Sequence, residues 1–326
     1  MANSFGALLN SILLHALADD LRDNLRPLLG LAKNMGDMQK DGTVIRSLSP
    51  GSVVTIKDWS SAFTPYTVDP AVGYVPPDYA PKADMTVTLP ESVIAVSMRI
   101  TPAEYRVLVG ADKGQAYDEL RKKANRQMVH GLASKMVTDF FATITQADFP
   151  NHTVNAVGAF TRSTEVDIDT ALFDRKLISR ENATTILNST TFGEWSKDHI
   201  AVHTNTGQDQ SSRVSQGGHK SSITNQTFWR TTVGMPAASN RGITFTETSH
   251  LFVSRIPDEP TYDQDPVSLQ EVVGDADDTG TSGPSFLSRL WKDSKTGNMQ
   301  WDMGIIYKFQ KFQAEALQRI KTVADA

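Results

Sequence analysis

Asp118-Glu119-Leu120-Arg121-Lys122-Lys123-Ala124-Asn125-Arg126-Gln127-Met128 lies near the start of the stretch that decides how this chain is read. Tyr117, Leu120, Ala124 and Met128 recur at helical spacing. Beyond them Leu132, Met136, Val137, Phe140, Phe141 and Ile144 widen the apolar stripe until nearly every face carries it. The pattern predicts one helix over residues 115–146, on the order of 45 Å long. Opposite the first stripe, Lys122, Arg126 and His130 stand at i, i+4 and i+8 beside Lys123. That basic ridge reads either as a solvated helix face or as a contact for a polyanion or an acidic neighbour.

Towards the N-terminus the periodicity changes from helical to alternating. Val53-Val54-Thr55-Ile56-Lys57-Asp58-Trp59 and Met85-Thr86-Val87-Thr88-Leu89 are β-type runs, and the second continues as Ile94-Ala95-Val96-Ser97-Met98-Arg99-Ile100. Between the arms lie Pro65, Pro70, Pro76, Pro77 and Pro81 with Tyr66, Tyr74 and Tyr79. Proline lacks the backbone donor a strand ladder needs, so residues 44–100 read as a two-stranded excursion with an irregular tip. A lone ribbon is marginal in water and wants a partner surface. Farther back, Leu9, Leu13, Ala16, Leu17 and Leu21 predict an amphipathic helix that packs on its own domain or on a neighbouring subunit. This apolar run is not read as a signal peptide, since no Lys or Arg precedes Arg22, and it meets Asp19 and Asp20 too early to span a bilayer.

Towards the C-terminus, residues 165–200 look mixed: an apolar-periodic piece from Ile168 to Leu177, then Ala183 to Asn188, then Phe192 and Trp195. Residues 204–222 form a polar loop with almost no apolar anchor, a length that is usually functional or mobile. Two strand-like pieces follow, Gly242 to Thr246 and Leu251 to Val253. The clearest period-two segment closes the chain: Phe286 to Lys292, a turn over Asp293 to Asn298, and a return strand. That strand sets Trp301, Met303, Ile305, Tyr307 and Phe309 on one face, with Gln300, Asp302, Ile306, Lys308 and Gln310 on the other.

The 326 residues suggest about two domains, and 39% hydrophobic with 21% charged content marks an ordered protein. Thirty-two basic against 37 acidic side chains leave a net charge of −5, which excludes a strongly basic nucleic-acid surface but not local basic stripes. With no cysteine, disulfide scaffolds, thiolate metal sites and cysteine nucleophiles are excluded. Asp275-Ala276-Asp277-Asp278-Thr279-Gly280 echoes a calcium loop, yet Phe286 stands where the bidentate Glu belongs. It also echoes an acyl-phosphate motif, but too little chain follows it to build the parallel fold which that motif opens. Gly217-Gly218-His219-Lys220-Ser221-Ser222 lacks the Gly before Lys that a phosphate loop requires. The seven histidines are scattered. His199 and His203 share an i, i+4 spacing, but Val202, Thr204 and Asn205 suggest a strand running into a loop rather than a metal-binding helix. Four formal glycosylation acceptors mean nothing without secretion. The absence of any catalytic pattern favours a structural role.

Taken in order, the pieces are a terminal arm, a ribbon, a long helix, a mixed middle with a polar loop, and a closing hairpin. Arm and ribbon stabilise themselves poorly, as in a subunit whose stability is completed by neighbours. Over nearly the whole chain this order resembles the major capsid proteins of tailed bacteriophages, the Hong Kong 97-like fold. The segment Asp118 to Met128 resembles the start of that family's spine helix. Leu290-Trp291-Lys292-Asp293-Ser294-Lys295-Thr296-Gly297 running into Met299-Gln300-Trp301-Asp302-Met303-Gly304-Ile305 is similar to its C-terminal strand–turn–strand.

The resemblance implies an α+β chain with an N-terminal arm over 1–43 and an extended β-ribbon, the E-loop, over 44–100. A peripheral domain then spans 101–167 with the spine helix at 115–146, and an axial domain spans 168–265 with its loop at 204–222. Residues 266–326 return to the peripheral domain. It implies self-assembly into pentamers and hexamers, in the host cytoplasm, around packaged double-stranded DNA. A scaffolding protein, a portal and a decoration protein are the further partners; a cofactor, a metal and a membrane are not implied. Leu9, Leu13 and Leu17 of the arm and Trp59, Phe63 and Tyr66 of the ribbon would meet adjacent subunits, and Lys122, Arg126 and His130 would meet lumenal DNA. Because arm and ribbon fill the chain before the helix, the scaffold is expected to be a separate protein. Lys57 and Lys82 lie in the ribbon without the surrounding pattern of a crosslinking lysine. The alternatives are an encapsulin-like compartment shell, a soluble hydrolase with unrecognised carboxylates, and a β-rich tail or adhesion protein.

Overall fold

The computed structural model describes residues 53–56, 85–88, 90, 92–110, 115–175, 183–203, 218–221, 223–224, 226–231, 235, 240–246, 248–255, 267–273, 286–293 and 295–323. Its secondary structure is α+β, as the sequence predicts. Strands β1 (Val53–Ile56) and β2 (Met85–Thr88) pair antiparallel, with Val54 opposite Val87, and form a two-stranded sheet that joins neither of the larger ones. Val87 is fully buried in the main core, so the pair is rooted there.

β3 (Ile94–Ile100) departs from the expected ribbon: it pairs antiparallel with the C-terminal strand β12 (Met299–Lys311), Ile94 opposite Ile305 and Ile100 opposite Met299. Its alternating residues Ile94, Val96 and Met98 pack on the main core, which fixes this register because a one-residue slip would turn them to the other face. Helix α1 (Pro102–Gly110) follows at once. Thr101 and Glu104 bond reciprocally, Glu104 N donating to Thr101 Oγ1 at 3.3 Å and Thr101 N to Glu104 Oε2 at 2.8 Å. This capping box, with Pro at the first helical position, was readable in Thr101-Pro102-Ala103-Glu104.

The long helix α2 runs Gln115–Ala142, four residues shorter than expected. It ends because the last turn tightens: Thr143 N donates to Phe140 O and Ile144 N to Phe141 O, both at 3.1 Å, and Thr143 Oγ1 takes a second bond to Phe140 O. Thr145 and Asp148 then bond each other across the following turn. Ala124, Met128, Leu132, Met136, Phe140 and Phe141 are all buried by α2.

The first large sheet runs β10 (Val267–Val273), β11 (Phe286–Lys292), β12, β3, with β9 (His250–Arg255) also pairing β12. The thirteen-residue β12 serves two sets of neighbours, β11 and β3 with its first half and β9 with Ile306–Lys311. The hairpin from β11 to β12 forms as expected, and Gly297 at φ 70° takes the left-handed position of its turn, which a side chain would strain. Asp302 and Ile306, on the face opposite Trp301 and Met303, are buried as well, so β12 is covered on both faces.

The second sheet has six strands in the order β4 (His152–Val154), β13 (Leu317–Lys321), β8 (Asn240–Phe245), β5 (Thr184–Asn188), β7 (Thr227–Thr231), β6 (Gly218–Lys220). Period two divides it cleanly. Ile186, Ile243, Phe245 and Leu317 enter the main core, while Leu187, Phe228 and Ile320 face a second one. That second core is completed by Phe160, by Ile168 and Leu172 of α3 (Arg162–Asp174), and by Phe192 and Trp195 of α4 (Ser189–His203). Gly242 permits a close approach to β5, since a Cβ there would lie 2.6 Å from Leu187 Cδ2 and 2.8 Å from Ile186 O.

Two further readings are corrected. Residues 199–203 are helical rather than strand running into loop; Asn188 caps α4, its Oδ1 accepting from Thr191 N at 2.8 Å, and Phe192 and Trp195 anchor the helix on the second core. Gly218–Lys220, placed within the polar loop, forms β6, because its backbone completes the edge of β7. The arm, the ribbon tip, residues 204–217 of the polar loop and the acidic string at 275–280 lie outside the described residues.

Candidate functional site

Among the described residues, a densely bonded polar site lies between α3, α4 and the turn after β6. Glu165, fully buried on α3, accepts from Trp195 Nε1 at 3.1 Å and from Thr224 Oγ1 at 2.6 Å. His199 Nε2 stands 3.1 Å from Glu165 Oε2, and Ser221 adds a further hydrogen bond. An ionised carboxylate can only accept, so Nε2 of His199 carries the hydrogen. Burial alone would raise the Glu165 pKa, but the bonds from His199, Ser221, Thr224 and Trp195 outweigh it and hold the carboxyl below its ordinary value. A second strand of polar contacts continues from Asp169, which accepts from Gln226 Nε2 at 3.2 Å. From there it reaches Thr185 and Thr244.

A carboxylate beside a histidine and two hydroxyls is also a general-base arrangement. Here it does something else: Glu165 is 0% and His199 3% exposed, so neither presents a face to a substrate. The cluster joins elements. Nearby, Arg241 of β8 does similar work. It donates to Glu194 of α4, to Asn155 Oδ1 at 2.7 Å and to the carbonyl of Ala156, while Glu194 accepts from Gly158 N at 2.9 Å and Phe160 N at 3.4 Å. Burial would raise Glu194, but the Arg241 bond and these backbone donors hold it below the usual carboxylate range. Among the described residues, no group of three or more His, Asp or Glu side chains is placed to hold a metal ion.

Of the residues singled out in the sequence, Lys122, Arg126 and His130 all fall on α2. His130 and its neighbour Lys123 are exposed; the side chains of Lys122 and Arg126 lie outside the described residues. The structure therefore fixes the shared helix of this ridge, not what it touches. Leu9, Leu13, Leu17, Trp59, Phe63 and Tyr66 lie outside the described residues altogether. His199, weighed as a metal ligand, is instead the partner of Glu165. Glu165, Glu194 and Arg241 were missed. The only signal was the i, i+4 spacing of Trp195 and His199 on one helix face, which says nothing of the carboxylate it would meet.

The sequence matches no family model. It also matches no curated protein. In structure the chain is similar to the capsid of Ralstonia phage GP4, with TM-score 0.49, 10% identity, and 86% of each chain covered. It is similar to the capsid of Cyanophage P-SCSP1u, with TM-score 0.48, 12% identity, and 86% of each chain covered. The holo-SrpI encapsulin complex from Synechococcus elongatus PCC 7942 is a further neighbour, with TM-score 0.44, 11% identity, 85% of this chain and 84% of that one. No described helix is long and apolar enough to cross a membrane.

Proposed function

We propose that this chain is the major capsid protein of a tailed double-stranded DNA phage, a non-enzymatic subunit that self-assembles through pentamers and hexamers into the icosahedral shell of the virion. The observation that supports it most is the β1–β2 pair: it joins neither large sheet, yet Val87 roots it in the main core. A two-stranded ribbon is marginal alone, so a neighbouring copy supplies the surface it lacks. The same reading takes residues 1–43 as the arm, the part of 44–100 that precedes β3 as the E-loop, 101–167 and 266–326 as the peripheral domain, which β3 joins through β12, and 168–265 as the axial domain.

In this mechanism the ribbon, with Trp59, Phe63 and Tyr66, lies across an adjacent subunit, and the helix of Leu9, Leu13 and Leu17 clamps another. Each contact is weak; a closed shell is held because every copy makes several at once. Lys122, Arg126 and His130 meet packaged DNA non-specifically, through contacts that weaken as salt is raised. A separate scaffold, a portal and a decoration protein complete the set of partners.

Deleting residues 60–84 tests the proposal. The truncated chain should sediment as a folded, unassembled species, while the intact chain gives shells by negative-stain microscopy; normal shells from the deletion would overturn the ribbon's role. Nuclease-protected DNA inside purified particles separates a genome shell from an encapsulin-type compartment.

A further inference from the structure

Among the described residues β6 is the outermost strand of the six-stranded sheet, and its strand partner is β7. The turn that follows it is folded on itself, Ser221 N donating to Gln226 O at 2.8 Å and Ile223 N to Ser221 Oγ at 3.1 Å. β7 is held independently, by parallel pairing with β5 along its length and by Phe228 stacked on Trp195 at 4.4 Å. β6 and its turn have no such second sheet neighbour among the described residues. Among the described residues, most of the bonds that fasten them to the helical layer meet on one carboxylate: Thr224 and Ser221 both bond Glu165, which at the same time holds Trp195 and His199 of α4. Gln226, at the far end of the turn, is tied to Asp169 of the same helix.

We propose that Glu165 is a latch, and that β6 with its turn, residues 218–226, undocks as one unit when this carboxylate is lost, while β7 and both cores stay in place. The physical reason is the concentration of bonds on one group. A single carboxylate satisfies four donors from two elements, so its removal takes away the Ser221 and Thr224 bonds to α3, leaves Gln226–Asp169 as the remaining tie at the far end of the turn, and leaves buried donors unpaired. The sheet loses at that edge only the three-residue pairing of β6. Regions held by few buried apolar contacts are those that open locally below the free energy of global unfolding. The inference goes beyond the shell reading and stands without it.

Hydrogen exchange on the full chain tests it, with two variants of matched shape, Glu165→Met and Thr224→Val. Glu165→Met should speed amide exchange in residues 218–226 at least about tenfold, while β7, α2 and β12 stay within about twofold of the parent. Thr224→Val, which removes one bond at a partly exposed position, should give the same pattern to a smaller degree. Uniform acceleration across the chain, or unchanged exchange in 218–226, would overturn the latch. If Glu165→Met does not fold, Thr224→Val decides by the same criterion: selective acceleration of 218–226 supports the latch and its absence refutes it.

Discussion

Around α2 the interior is nearly all hydrocarbon: the Phe140 ring sits edge-on to Phe245 at 5.5 Å and to Phe309 at 5.4 Å, with Leu132, Met136 and Met303 close by. On the far side of the six-stranded sheet, Trp195, Phe228 and Leu172 share the interior with Glu165 and His199. Arg241 and Glu194 lock the adjoining loop. Both regions are buried to a similar degree, so burial is not what separates them. The main core responds to size and shape, and many apolar residues of suitable volume can fill it. The second responds to donor and acceptor geometry, where a missing partner leaves a buried polar group exposed to its full desolvation cost. The first gives bulk stability; the second fixes where particular loops and turns sit.

The sharpest way to break this comparison is a pair of substitutions on each side. Phe140→Ala should destabilise by about 4 kcal/mol, measured by denaturant unfolding, and Phe140→Leu should recover most of that loss. Arg241→Ala should cost about 3 kcal/mol by stranding Glu194 and the carbonyls it serves, and here Arg241→Lys should recover less than half, since an ammonium cannot reproduce the guanidinium fork. A lysine variant as stable as the parent would erase the distinction.

A further test concerns a titratable side chain at the edge of the apolar core. His250 is buried between Phe140 and Phe149, each ring at 4.8 Å, with Thr143 Oγ1 2.9 Å from Nε2. Burial lowers its pKa to about 3, against a small opposing pull from Asp148. The unfolded chain therefore takes up the proton first as pH falls. The stability that neutral His250 contributes is complete above about pH 6.5 and is lost progressively towards about pH 3, by at most roughly 1.4 kcal/mol per pH unit. His250→Asn should flatten the stability profile between those limits; an unchanged slope would show that other groups carry the acid sensitivity.

How much of this was legible follows the same division. The main core was written in periodicity: the α2 stripe and the alternation of β12 name most of its members in advance. The second core was legible only in its apolar half, through Ile168, Leu187, Phe192 and Trp195. Glu165 escaped because a glutamate in the first turns of a helix is normally solvated, and only the packing of α4 and the turn after β6 brings four donors to it. Ile94–Ile100 was read as ribbon because its alternation is the same whether its partner is β2 or β12. The capping box at Thr101 and Glu104 is local and needs no tertiary information.

The sequence by itself determined the long helix, the apolar stripe of α2, the alternation of β12 and the closing hairpin, because each depends on spacing along one segment. Only the tertiary structure decided that β12 would serve β11, β3 and β9 together, and that one carboxylate would tie α3, α4 and the β6 turn. Such contacts join residues far apart in the chain. Their free energy exists only once the intervening elements have packed and driven water from between them.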